Sequence, residues 1–142
     1  MKDRKWIWGI VSVLLIFIFF GCDTNDDTNP SPVPDVRDKF VGIWNVVDAC
    51  SKANYDVNIS KDPSNSAQVL LDNFADSGAD EPDTAIIAAS SIVLYRQFNS
   101  EGWLIKGNGS YKIEEKIDWD FELTISGYEE LCTGVYTKGK SH

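Results

Sequence analysis

The chain has 142 residues, 13 of them basic and 22 acidic, for a net charge of −9, and its single histidine is the last residue, His142. That length supports one ordinary domain rather than two. The acidic balance disfavours nucleic acid and anionic lipid as partners, and a histidine-dependent triad would need this last residue to reach a nucleophile, which sets that chemistry aside.

The first stretch with a pattern is Met1 to Cys22. Lys2, Arg4 and Lys5 make a basic start, and Trp6 to Phe20 follow without a charge. A basic n-region, an apolar h-region and a small residue before a cleavage point read as a secretory signal over 1–21. Its 15 apolar residues would make a helix of about 22 Å at roughly 1.5 Å per residue, short against a bilayer core of about 30 Å. Residues 22–37 carry Pro30, Pro32 and Pro34 among Ser, Asn and Asp. Such a composition buries too little apolar surface to fold and predicts an extended tether reaching about 50 Å. Loss of 1–21 removes Lys2, Arg4, Lys5 and Asp3 and leaves 10 basic and 21 acidic residues, a net of −11.

The cysteine directly after Gly21 makes this stretch resemble a bacterial lipoprotein signal. Its Phe19-Phe20-Gly21-Cys22 box is similar to the looser boxes of Bacteroidetes lipoproteins. The resemblance implies cleavage before Cys22, thioether lipidation of that cysteine, and anchoring in the bacterial outer membrane. An uncleaved signal anchor is the other reading. Asp23-Thr24-Asn25-Asp26-Asp27 resembles the surface-export signal of the same lipoproteins, which implies the cell surface; it reads equally as the start of a solvated linker.

Lipidation of Cys22 would leave Cys50 and Cys132, which can pair in an oxidising compartment. Closing so long a loop stabilises by about 4.5 kcal/mol on the chain-entropy model. Two reduced thiols are the alternative. A metal site is disfavoured, because neither a Cys-x-x-Cys nor a histidine accompanies them.

The folded part is expected over 38–142. Asp35 to Phe40 reads as a short turn, and strands follow. Val41–Cys50 is rich in Val, Ile and Trp. In 54–61, Tyr55, Val57 and Ile59 alternate with polar residues, as in a half-buried strand. Ala67–Phe74 is the third strand, and residues 75–82 an acidic loop. Strands four and five are 83–89 and 92–98, and Asn99 to Gly102 a hairpin loop. The sixth runs from Trp103 to Tyr111, with Gly107 and Gly109 suggesting a bulge or a sharp bend, as small closed sheets need. The seventh is the clearest. Ile117, Trp119, Phe121, Leu123 and Ile125 share one face; Asp118, Asp120, Glu122, Thr124 and Ser126 share the other. Gly127 to Glu130 reads as a turn and Leu131–Lys138 as the eighth strand.

Short connections favour a meander, and eight strands can close into an antiparallel up-and-down barrel. The expected fold is therefore all-β. Cys50 at the end of strand one and Cys132 at the start of strand eight would then meet at one rim, stapling the closing seam.

Gly42-Ile43-Trp44, after a short turn and Phe40, resembles the Gly-x-Trp signature of lipocalins, and the strand pattern looks like calycin-type lipoproteins of Bacteroidetes. The resemblance implies that Trp44 plugs the closed end of the barrel. An ordinary core tryptophan is the other reading, and it predicts burial as well.

No catalytic residue and no cofactor emerge. Asp118, Asp120 and Glu122 read as the solvated outer face of strand seven. Asp76, Asp80, Glu81 and Asp83 form an acidic cluster that offers oxygens of the kind calcium takes, or simply a solvated loop. Two functions are in view. The first is a non-enzymatic, membrane-anchored binding module holding a small apolar ligand among Trp44, Trp119 and Phe121. The second is a surface interaction protein whose barrel is filled by side chains and which meets a protein or glycan through its rim. A cavity of about 300 Å³ or more would favour the first, and exposed aromatic groups the second.

Overall fold

A computed structural model of the chain describes residues 32–113 and 115–139. The expected signal 1–21, Cys22 and most of the expected tether lie outside the described residues. Among those residues, no helix is long and apolar enough to cross a membrane.

Eight antiparallel strands close into a barrel in sequential order: β1 (Gly42–Asp48), β2 (Asn54–Lys61), β3 (Gln68–Asp72), β4 (Asp83–Ala88), β5 (Ser91–Phe98), β6 (Leu104–Lys112), β7 (Lys116–Ile125) and β8 (Tyr128–Lys138). The seam is the β1–β8 ladder, running from Trp44 opposite Lys138 to Asp48 opposite Gly134. The ladder continues one step past β1, where the Ala49 N–H donates to the Thr133 carbonyl at 2.9 Å. The next pair in this register is Cys50 and Cys132, which form a disulfide with Cα atoms 5.6 Å apart. The bridge sits on the seam because the alternation of both strands delivers the two sulfurs there.

Alternation also sorts the side chains. Trp44 and Val46 of β1, Tyr55, Val57 and Ile59 of β2, and Ile117, Trp119, Phe121 and Leu123 of β7 all point into the core. Asp120 is exposed and Asp118 and Glu122 half-buried on the opposite face of β7. Every strand edge is paired within 42–138, and the core lies between Phe40 and Tyr136. The stretch from Pro34 onward is one compact unit, and its paired edges and complete core are the anatomy of a domain able to fold alone.

Several expectations are corrected. The folded unit begins before residue 38, because Arg37 is 8 % exposed and its guanidinium donates to the carbonyls of Asp62, Asn65 and Gln68 in the β2–β3 turn. Strand three stops at Asp72, and Phe74–Asp76 form a 3-10 turn. The turn into β8 is not residues 127–130 but the pair Ser126–Gly127, both at positive φ, the two-residue connection whose twist suits a hairpin. The bulge lies in β5, not β6: Leu94 faces Gly107 while Gln97 faces Ile105, which leaves one extra residue on β5. Gly107 is required for packing instead. A Cβ there would lie 2.6 Å from the Phe121 Cβ and 2.8 Å from the Asp120 carbonyl oxygen.

Candidate functional site

The two ends of the barrel are closed by different means. At the end where β1 begins, the turn Val36–Phe40 folds across the opening. Phe40 and Trp44 are fully buried, the Trp44 indole N–H donates to the Phe40 carbonyl at 2.7 Å, and Tyr111 packs edge-on against both rings. Lys138 holds its ammonium 5.3 Å above the Trp44 ring. Both readings of Trp44 expected burial, so burial does not separate them.

At the opposite end the plug is Phe74. Its ring lies 5.1 Å from that of Trp119, 5.2 Å from Phe121 and 6.4 Å from Tyr136. Trp119 and Phe121 are therefore brought together, and Trp44 belongs to a separate aromatic group. All three are buried in packed surroundings. The mouth retains a pocket of about 190 Å³, lined by residues that include Asp48, Asp76, Trp103, Leu123 and the bridged Cys50. That is below the roughly 300 Å³ at which small-molecule pockets begin.

Beneath the mouth lies a polar cluster. Asp48 and Tyr55 occupy the inward phase of their strands, and the Tyr55 hydroxyl donates to Asp48 Oδ2 at 2.5 Å. Asp48 also accepts from the backbone N–H of Cys50 and Ser51 and from the Ser51 hydroxyl. Those bonds tie the β1–β2 turn and satisfy a carboxylate that would otherwise be costly to bury. Desolvation first, then the neighbouring Tyr136, then the hydrogen bond that Tyr55 itself donates to Asp48 push the Tyr55 phenol far above its usual range. Tyr136 is fully buried, and burial raises its phenol in the same way. Its hydroxyl sits near Tyr55 without meeting hydrogen-bond geometry, and it and the Trp119 indole N–H lack partners among the described residues. Asp83, 3 % exposed, faces inward from β4. Desolvation first and the Glu81 carboxylate second push its carboxyl up to about 7.

The acidic cluster of 76–83 is thus divided, since Asp83 turns inward on β4 while Asp80 and Glu81 stay exposed. Among the described residues, no group of three or more His, Cys, Asp or Glu side chains is placed to hold a metal ion.

A wider concavity lies outside. A groove of about 600 Å³ crosses the outer face of β5, β6, β7 and β8, lined by residues that include Tyr95, Arg96, Asn108, Asp120, Leu131 and Thr133. The β5 bulge creates it in part, because Tyr95 and Arg96 both turn outward opposite Lys106. Bulges commonly re-aim side chains in this way. Tyr95 is 60 % and Leu131 79 % exposed. On the groove floor Lys106 pairs with Glu122 at 2.7 Å. Sequence reasoning missed Tyr95 and Arg96 because an unbroken alternation predicts that one of them points inward.

No protein-family model matches the chain, and a search of curated proteins finds no match.

Proposed function

We propose that this chain is a membrane-anchored, non-enzymatic binding module that engages a glycan through the outer groove across β5–β8. The observation that carries this reading is the contrast between a mouth pocket of about 190 Å³ and an outer groove of about 600 Å³. The latter lies within the usual range of ligand sites. The lining favours sugar over peptide. An exposed tyrosine offers a flat amphipathic face for the C–H side of a pyranose ring. Arg96, Asn108, Asp120 and Thr133 offer both donors and acceptors for its hydroxyls. A peptide adding itself as a strand needs a free sheet edge, and the closed barrel has none.

The anchor rests on sequence: the basic start, the uncharged run and the Gly21-Cys22 junction. With Cys22 lipidated, the proline-containing tether would hold the barrel clear of the outer membrane. Metabolic labelling with a fatty acid, lost in Cys22→Ala, checks that part. Affinity electrophoresis of residues 34–142 through gels cast with dextran, xylan or mannan checks the groove. Retardation by at least one of these, abolished in Tyr95→Ala, is expected. Equal mobility of wild type and Tyr95→Ala in every gel would refute the glycan reading.

A further inference from the structure

We infer that Phe74 is a removable plug over a second, internal binding site, one suited to a single-ring aromatic ligand bearing a hydroxyl. The site is distinct from the outer groove. The Phe74 ring occupies a cell walled by Trp119, Phe121 and Tyr136. It fills the cell with carbon alone, while two of the three wall residues carry polar atoms without a partner. The Trp119 indole N–H and the Tyr136 hydroxyl belong to residues 1 % and 0 % exposed and have no hydrogen-bond partner among the described residues. Buried polar groups left unsatisfied are expensive, so this cell is better suited to an occupant other than Phe74. A phenolic ring would keep the edge-on aromatic contacts, accept from the Trp119 indole N–H through its oxygen and donate its O–H to the Tyr136 hydroxyl oxygen.

The element that carries the plug combines tethers with strain: the Asn73 side-chain amide donates to the Asp56 carbonyl at 2.9 Å and its Oδ1 accepts from the Gly78 N–H at 2.7 Å. Asn73, Ala75 and Asp76 all adopt positive φ, at 66°, 56° and 60°. Left-handed backbone is unfavourable for residues with a side chain, and strain of this kind gathers at clamps and switch regions. The plug segment is three residues long and joins the adjoining mouth pocket through Ala75 and Asp76. Moving it outward would merge the vacated Phe74 volume with the 190 Å³ already open there.

The test uses residues 34–142 and two probes, phenol and benzene. Phe74→Ala removes the plug, and binding is followed by calorimetry. Phenol is expected to bind this variant about tenfold more tightly than benzene, because two hydrogen bonds are gained on otherwise orphaned atoms. Binding of benzene as tightly as phenol would mean that water already serves those atoms, and would overturn the inference, as would binding of neither probe. Because Phe74→Ala removes a large core side chain, a second comparison uses chains that keep it. Asp76→Gly relieves one left-handed position at an exposed residue and so favours the closed plug. Phenol should shift the Trp119 indole N–H resonance of wild type, and Asp76→Gly should require about fivefold more phenol, the equivalent of ~1 kcal/mol. No shift in wild type, or equal titrations of the two, would also overturn it.

Discussion

Asp83 makes the stability of this barrel depend on pH in a window where little else titrates. Its carboxyl is pushed up to about 7 by burial and by Glu81, against about 3.9 in an unfolded chain. Between those values the folded state holds a proton that the unfolded state has released. Stability therefore falls as pH rises through this window, and it levels off above 7, where both states are ionised. Each pH unit is equivalent to about 1.4 kcal/mol, so full burial would give about 4 kcal/mol across the window. Water at the nearby mouth screens some of this, and about 2–3 kcal/mol is expected. The chain's one histidine is the terminal His142, so no internal imidazole complicates the measurement. Urea unfolding of residues 34–142 at intervals from about pH 5 to pH 8 reads the effect directly. Wild type should lose stability over that range, and Asp83→Asn, close in shape and always neutral, should stay flat and be the more stable protein at the alkaline end. A flat wild-type profile, or the same slope in Asp83→Asn, would show that the carboxyl is solvated and that the reasoning from its burial is wrong.

Three other outcomes can be measured on the same unit. Replacing both cysteines with alanine opens a bridge between residues separated by 82 positions and should lower unfolding stability by about 4 kcal/mol, with the loss read from urea midpoints. Gly107→Ala should destabilise by about 3 kcal/mol or prevent folding, the upper end of overpacking, because its Cβ would meet the Asp120 backbone rather than a movable side chain; a loss of well under 1 kcal/mol on thermal melting would contradict this. Arg37→Ala removes donors to three carbonyls of the β2–β3 turn and should cost about 2 kcal/mol, with hydrogen exchange quickening first in residues 62–68.

Period-two alternation was enough to reveal the barrel. In β7 it runs for most of ten residues, and Ile117, Trp119, Phe121 and Leu123 are inside as their phase predicts. The same phase, joined to a meander with short connections, set the two cysteines side by side on the seam. Asp48 and Asp83 were legible in principle, since each sits in register with buried neighbours: Asp48 with Trp44 and Val46, Asp83 with Ala85 and Ile87. A charged residue in the inward phase is a signal in itself, and here it marked the polar floor of the mouth.

What alternation cannot express is anything that breaks it. The β5 bulge turns Tyr95 and Arg96 to the same side, and only the pairing of β5 with β6 shows where the extra residue falls. Phe74 read as the end of a strand, yet a left-handed Asn73 swings it inward onto Trp119 and Phe121. There the ring fills the space between Trp119, Phe121 and Tyr136. Local sequence decides which face a residue takes, through backbone geometry that every strand shares. The filling of the interior and the shaping of the outer groove depended on contacts between residues far apart in the chain, which only the closed tertiary structure brings together.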